Sequence, residues 1–143
     1  MTTAPAIDTV AHADVIKALL SAALGPWDAY DYGQVPGTKD ATGEQNEGSE
    51  PRQYVLVTVE RRFAETRRMT AQAGRSGWRT TVRSVGRTPD EVRWMQRFVT
   101  GALDEQNLTV SGSTSTPLQL ESSQAPEPDD GAYTALDVYT YTC

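Results

Sequence analysis

Residues 77–110, GWRTTVRSVGRTPDEVRWMQRFVTGALDEQNLTV, decide the fold of this 143-residue chain. Trp78, Thr80 and Val82 alternate with residues of a second face, and this spacing predicts a β-strand with two different sides. A helix start, an amphipathic helix, a turn and a short strand then follow in order. No group of residues in the stretch forms a catalytic constellation. The stretch therefore predicts a small α+β domain that works through its surfaces.

The helix start is marked by four consecutive residues, Thr88 to Glu91. The side chain of Thr88 can accept a hydrogen bond from the Glu91 amide, and Pro89 at the first helical position loses no bond. Glu91 can reach back to the Thr88 amide and close a capping box. Asp90 and Glu91 also place negative charge at the positive end of the helix dipole.

The body of this helix has an apolar stripe at helical spacing. The stripe comprises Val92, Met95, Val99, Ala102 and Leu103, and Phe98 widens it. Trp94 lies at the border of the stripe. One interpretation places Trp94 and Phe98 in the core against a sheet. The other makes Trp94 a subunit contact, because exposed tryptophans concentrate binding energy, and Trp94 is therefore a candidate interface residue.

The rest of the chain predicts one more long helix and several strands. Ile16, Leu20 and Leu24 belong to a stripe that predicts a helix from about Thr9 to Leu24, ended by Gly25 and Pro26. The apolar run at 53–61, QYVLVTVER, predicts a central strand. Further strands are predicted at Trp27–Tyr32, Trp78–Val85, Asn107–Val110, around Leu118 and Leu120, and at Tyr133–Tyr141. The predicted class is α+β: a single small domain in which two main α-helices pack a mixed or antiparallel β-sheet and long polar loops project.

Two segments of this single domain, residues 1–143, lack the periodicity of regular structure. Residues 1–8 predict a flexible N-terminal tail. Residues 33–52, GQVPGTKDATGEQNEGSEPR, predict a long polar loop, because Gly, Pro and acidic residues dominate the segment. We expect this loop to be mobile in the isolated protein. Its acids form either a docking surface or a tolerated surface insertion.

The composition disfavours several classes of function. A net charge of −6 and a pI of about 4.7 disfavour an independent nucleic-acid binder, because such proteins are usually basic. One histidine, His12, and one cysteine, Cys143, are too few for a metal cluster or an intrachain disulfide. We expect His12 to be solvated and Cys143 to end a strand. We predict no catalytic, cofactor-binding or metal-binding residues, and no apolar run is long enough to cross a membrane.

Two groups of residues are candidates for contacts with a partner. The first is a cluster of four arginines that follows the predicted central strand: Arg61, Arg62, Arg67 and Arg68. Such a cluster can hold phosphate, contact an acidic protein surface or form a solvated strand end. The second group is Tyr139 and Tyr141 in the final strand, which we expect to be a long edge strand that invites contact with a neighbour.

Three passages, taken in order, resemble one protein family. They are YDYGQVP at 30–36 with QYVLVTV at 53–59, WRTTVRSVGRTPDEVRWMQRFVTGAL at 78–103, and DDGAYTALDVYTYTC at 129–143. This combination resembles the tail terminator proteins (also called tail-completion or minor tail proteins) of long-tailed, siphovirus-like phages, especially those that infect actinobacteria. The loop at 33–52 is longer than the family pattern, so no family contact is transferred to it.

The resemblance implies a structural role without catalysis. Members of the family have an α+β fold and form hexameric rings. Such a ring caps the tail tube and joins it to the head–tail connector below the portal. The implied partners are copies of the same chain, the major tail tube protein and connector proteins, while genomic DNA passes through the lumen without sequence-specific binding. The implied location is the tail or neck of the virion, after assembly in the host cytoplasm, with no membrane and no cofactor.

Three other interpretations remain open at this point. The chain could form a different ring of the phage neck, a head–tail connector or adaptor. It could be a small nucleic-acid-binding module that uses the arginine cluster. It could also be a small enzyme, although one histidine and one cysteine provide no nucleophile–base pair.

Overall fold

The computed structural model describes residues 9–31, 33–40, 42–63 and 77–143. Within these residues the elements are α1 (Thr9–Leu24), β1 (Ala29–Asp31), β2 (Tyr54–Phe63), β3 (Gly77–Gly86), α2 (Pro89–Leu103), β4 (Thr109–Val110), β5 (Ser113–Thr114), β6 (Gln119–Ser123), β7 (Glu127–Asp129) and β8 (Ala132–Thr142). The predicted fold class, a small α+β domain with a mixed sheet, is confirmed. The predicted tail at residues 1–8 lies outside the described residues.

The main sheet has the strand order β1–β2–β3–β8–β6, and β7 pairs with the beginning of β8. β1 runs parallel to β2, whereas the other neighbours are antiparallel. β4 and β5 form a separate hairpin. β2 is interior where β1 pairs with it, at Val55–Val57, as its apolar run predicted, and beyond Val57 it has β3 alone as a described neighbour. The expectation that the final strand lies at an edge was wrong, because residues 119–129 return alongside β8 and pair with it.

Both helices pack on the same side of the sheet, which we call the helix face. Alternate residues of β3 point to this face, and Trp78, Thr80, Val82 and Ser84 are buried there, as the alternation predicted. The helices contribute Ile16, Leu20, Leu24, Met95, Val99 and Leu103 to the same core, and Val55, Val57, Tyr139 and Tyr141 complete it. We call the opposite side of the sheet the open face.

The start of α2 has the predicted threonine cap. Thr88 Oγ1 accepts a hydrogen bond from the Glu91 amide at 3.2 Å. The Glu91 carboxylate accepts the Arg87 amide at 2.7 Å, one residue before the amide that a capping box would use, and also accepts Arg52 Nε at 2.7 Å. Burial raises the pKa of Glu91, but the bonds from Arg87 and Arg52 outweigh burial and hold it below its usual value. Glu91 therefore fastens the chain before β2 to the helix start.

The polar segment between β1 and β2 is a crossover connection, and this explains its length. Because β1 and β2 are parallel neighbours, the chain that leaves β1 at Asp31 must return before β2 begins at Tyr54. Such a connection needs a dozen or more residues. We call residues 33–52 the crossover arm. The arm covers part of the open face, where Val35 packs with Tyr54 and Val85.

The crossover arm contains turns that are held by its own side chains. Asp40 Oδ1 accepts the amides of Thr42 and Glu44 at 2.9 and 3.0 Å. Asn46 Nδ2 donates to the carbonyl of Val35 at 3.1 Å. These bonds satisfy backbone groups that lie outside helices and strands. The expected mobility of this segment stays a prediction.

Candidate interaction surfaces

Three aromatic side chains form a cluster at the surface of the helix layer. Trp94 of α2 packs edge-to-face against Trp27, with 4.8 Å between ring centroids, and against Phe98, with 4.4 Å. Trp27 follows the Gly25–Pro26 turn that ends α1, so the cluster bridges the two helices. We call Trp27, Trp94 and Phe98 the aromatic patch.

Trp94 combines the two roles that the sequence left open. One edge of its indole packs in the aromatic patch, yet 39% of the residue is exposed, which makes it one of the large apolar side chains that the described fold leaves in solvent. Its ring is held by neighbours before any partner binds, so binding would cost little side-chain entropy. Rigid, partly exposed tryptophans of this kind are typical anchors of protein interfaces. Trp27 was not predicted as part of this site, because no local pattern links it to α2.

The arginine cluster is only partly visible. Arg61 and Arg62 are exposed at the end of β2, whereas Arg67 and Arg68 lie outside the described residues. Within the described ranges, neither Arg61 nor Arg62 forms an ion pair. Arg61 and Arg62 therefore carry positive charge that the described fold does not neutralise.

The other arginines of the sheet are neutralised by the chain itself. On the open face, Arg79 lies between Glu60 at 3.3 Å and Glu121 at 3.5 Å. Arg83 reaches Asp129 at 3.9 Å. These pairs are partly exposed and contribute little to stability. Their effect is to give the open face a balanced charge, which disfavours phosphate binding there.

A groove of about 600 Å³ lies on the open face between the crossover arm and the β7–β8 hairpin. Its walls carry both signs of charge, including Lys39, Arg87, Glu50 and Asp129. Burial, with the nearby Glu50 carboxylate, raises the pKa of Tyr54 in its floor to about 12, so this phenol stays neutral. The mixed lining does not indicate a ligand of one charge.

Tyr139 and Tyr141 are not at the surface, which corrects their assignment as interface residues. They are 0% and 4% exposed, beneath the helices. The Tyr141 hydroxyl lies 2.7 Å from His12 Nδ1, and the Tyr139 hydroxyl donates to Thr100 Oγ1 at 3.4 Å. Burial raises the pKa of both phenols, that of Tyr139 to about 12. Their hydroxyls find partners inside the protein, so the tyrosines can line the core.

His12 is buried, and the expectation that it is solvated was wrong. The residue is 0% exposed and stacks on Trp78 with 3.9 Å between ring centroids. Its position could have been inferred from the stripe of α1, because it precedes Ile16 by one helical step of four residues. His12 is a core residue that packs against Trp78 and Tyr141.

Asp137 is a buried carboxylate on the helix face of β8. It is 1% exposed, accepts bonds from Ser123 and from Gln96 (3.2 Å), and its Oδ2 has no hydrogen-bond partner among the described groups. Burial raises its pKa above the usual 3.8, although the bonds from Ser123 and Gln96 oppose the rise. A raised native-state pKa contributes stability below the unfolded-state pKa, and this contribution is lost as the pH rises through the native-state value.

This sign predicts a pH-dependent gain for Asp137→Asn. The free energy of unfolding of the variant, minus that of wild type, should rise by roughly 1 kcal/mol between pH 4 and pH 7. The reason is that only the wild type must keep a buried charge at the higher pH. Urea unfolding at several pH values measures the difference. Asp130→Asn, at the exposed hairpin turn, is the matched control. A difference for Asp137→Asn that stays constant with pH would contradict the assignment.

The described part of the chain contains neither a metal-ligand cluster nor a helix suited to cross a membrane. There, no group of three or more His, Cys, Asp or Glu side chains is arranged to hold a metal ion. Neither described helix has the length and apolar character needed to span a membrane.

Comparison with known proteins finds a likeness among solved structures. No protein-family model matches the chain, and a search of curated proteins finds no match. Among solved structures, the chain is similar to one described as "Virion of native gene transfer agent (GTA) particle", with a TM-score of 0.66 and 15% sequence identity. The likeness covers 99% of this chain and 97% of that chain. This protein therefore shares its fold with a chain of that particle.

Proposed function

We propose that this chain is a structural virion protein and, more narrowly, a tail terminator. In this role a ring of identical subunits caps the tail tube and joins it to the head–tail connector. The likeness to a chain of a gene transfer agent virion carries the proposal, because it covers 99% of this chain and 97% of that chain. The resemblance of three sequence passages to tail terminators supports the narrower assignment.

The surfaces described above suit a subunit that works by contact. A ring subunit needs two different surfaces that fit each other and at least one more for its axial neighbours. The aromatic patch, with Trp94 at 39% exposure, is our candidate for an axial contact with the tube protein or the connector. The net charge of −6 would limit sticking of genomic DNA that passes through the lumen.

The proposed role requires no catalysis and no cofactor. His12, the only histidine of the chain, packs in the core against Trp78, where it serves structure. We infer that the protein acts in the tail or neck of the virion after assembly in the host cytoplasm. Its proposed partners are further copies of itself in a hexameric ring, the tail tube protein and the connector.

The proposal is tested by the mass of the purified protein and by its binding to particle parts. We expect light scattering to give a hexamer, or a monomer that forms rings when tail tubes are added. Electron microscopy should show rings at one end of each tube. Rings that bind connectors and ignore tubes would replace terminator by connector or adaptor. A strict monomer that ignores both would refute the structural role.

A further inference from the structure

Among the described strands, two edges on opposite sides of the sheet have unpaired backbone groups, and they lie at the same level along the strands. β1 pairs only with Val55–Val57, so that in the described part of the chain no strand pairs with the outer side of β2 from Thr58 to Arg61. At the opposite edge, β6 has one paired side, towards β8, and all five of its residues are exposed. Strand edges with unpaired backbone groups are templates for association.

The pairing register shows that these two open edges are level. Val59 of β2 lies opposite Thr80 of β3, Thr80 lies opposite Tyr139 of β8, and Tyr139 lies opposite Leu120 of β6. Residues that are directly opposite share one face of a sheet. Leu120 and Val59 therefore belong to the same row at the two ends of the helix face.

Each end of this row has exposed apolar surface. Leu120 is 41% exposed, and Val10 of α1 is 68% exposed. Val10 lines a shallow cavity of about 310 Å³ together with Val57 and Val59, beside the open part of β2. A leucine from a neighbouring subunit would find apolar contacts there.

Among the described residues, the unpaired charges at one end of the two edges are opposite, whereas Asp14, Lys17 and Asp31 beside the Val10 cavity form ion pairs with one another. Arg61 of β2 lies opposite Trp78 of β3, and Trp78 lies opposite Tyr141 of β8. Because Gln119 of β6 lies opposite Thr140, the row that contains Arg61 reaches the other edge one residue before Gln119. At the β6 edge, the end of α2 lies beside this row. Asp104 and Glu105 line a cavity there together with Gln119 and Leu120. Within the described ranges, Asp104 and Glu105 form no ion pair, as is true of Arg61 and Arg62.

We propose that the ring forms by side-by-side contact, with the β2 edge of one subunit against the β6 edge of the next. The β2 edge is Val10, Val59, Arg61 and Arg62, and the β6 edge is Asp104, Glu105 and Leu120. This inference rests on the proposed function, and the second copy of the chain is its occupant. Because β6 runs antiparallel to β2 within one subunit, neighbours that stand side by side bring the two edges together antiparallel.

The two surfaces are different and lie at opposite ends of the sheet, so the contact is head-to-tail. A head-to-tail contact generates a ring when its rotation closes, whereas a two-fold contact would stop at a dimer. Opposite charges at the rim, Arg61 and Arg62 against Asp104 and Glu105, would fix the register and guide encounter. The apolar row from Leu120 to the Val10–Val59 cavity would form the dry centre.

Charge reversal tests this contact with the full chain. Arg61→Glu with Arg62→Glu should weaken self-association at least about a hundredfold at 0.1 M salt, and so should Asp104→Lys with Glu105→Lys, because like charges then face each other. The chain that carries all four changes should assemble again. An equal mixture of the two double variants should also assemble, because each then presents the edge that the other lacks.

Sedimentation velocity, with and without tail tubes, measures association, and circular dichroism confirms that each variant is folded. The matched control is Glu44→Lys with Glu47→Lys on the crossover arm, which changes the net charge as Asp104→Lys with Glu105→Lys does and should leave association unchanged. Leu120→Asp should also weaken association, because it places a charge that has no partner in the apolar row of the contact. If both double variants still form rings as the wild-type chain does, the edge contact is wrong, but the proposed function is unaffected. A wild-type chain that forms no ring, alone or on tubes, would overturn both.

Discussion

Trp78→Ala should lower the free energy of unfolding by about 3–5 kcal/mol, the usual cost of removing a large buried aromatic side chain. Trp78 is 0% exposed on the helix face, near the start of β3. It stacks on His12 from α1 and lies between Arg61 of β2 and Tyr141 of β8 in the sheet. The truncation would therefore open a cavity that helix and sheet line together, and urea unfolding at pH 7 measures the loss.

Trp78→Phe is the matched control for this cavity. Phenylalanine keeps a ring against His12 and removes the indole N–H, which has no hydrogen-bond partner among the described groups. The cost should therefore be less than half of that for alanine. If Trp78→Ala lowers the free energy of unfolding by less than about 1 kcal/mol, the stack of Trp78 and His12 contributes little to the stability of the core.

Short-range patterns predicted the elements whose signals are local. The cap at Thr88, the buried stripe of α2 and the alternation of β3 all depend on residues within a few positions of each other, and all three are present. The start and end of α1 were predicted for the same reason. In these stretches local preference and tertiary packing favour the same conformation, as expected of natural sequences.

Relations between distant segments were not predictable in this way. The alternation of β8 placed Tyr139 and Tyr141 on one side of a strand, but no local signal said which side the helices cover. The more apolar alternative, Leu136 and Val138, faces the open side instead. His12 was misjudged because its residue type suggested solvent, although its position in the stripe of α1 indicated the core.

The candidate surfaces show the same division. Trp94, Arg61 and Arg62 were predicted from composition and position alone. Their neighbours were not, because Trp27 and Leu120 gain their meaning from elements far away in sequence. The length of the crossover arm likewise follows from the parallel pairing of β1 with β2, which no sequence pattern of the arm reveals.

The sheet edges and the aromatic patch divide the proposed contacts into two directions. The β2 and β6 edges lie at the two ends of the sheet, so a chain that pairs through both can only extend sideways. The aromatic patch lies on the helix layer, where Trp27 and Trp94 bridge α1 and α2. A subunit that uses its edges for the ring thus keeps this patch available for a different protein. Changes at the edges and at the patch should therefore have separable effects.

Trp94→Ala should weaken binding of the proposed ring to one of its proposed axial neighbours, the tail tube or the connector, at least about thirtyfold, which corresponds to the 2 kcal/mol of an interface anchor. The fold should tolerate the change, because Trp94 is 39% exposed, and ring formation should persist. Counting capped tube ends and bound connectors against protein concentration measures both contacts. Arg93→Ala, on the exposed side of the same helix turn, is the control and should bind as wild type does. Loss of the ring itself would place the aromatic patch between subunits, and unchanged binding to both neighbours would remove it from the interface.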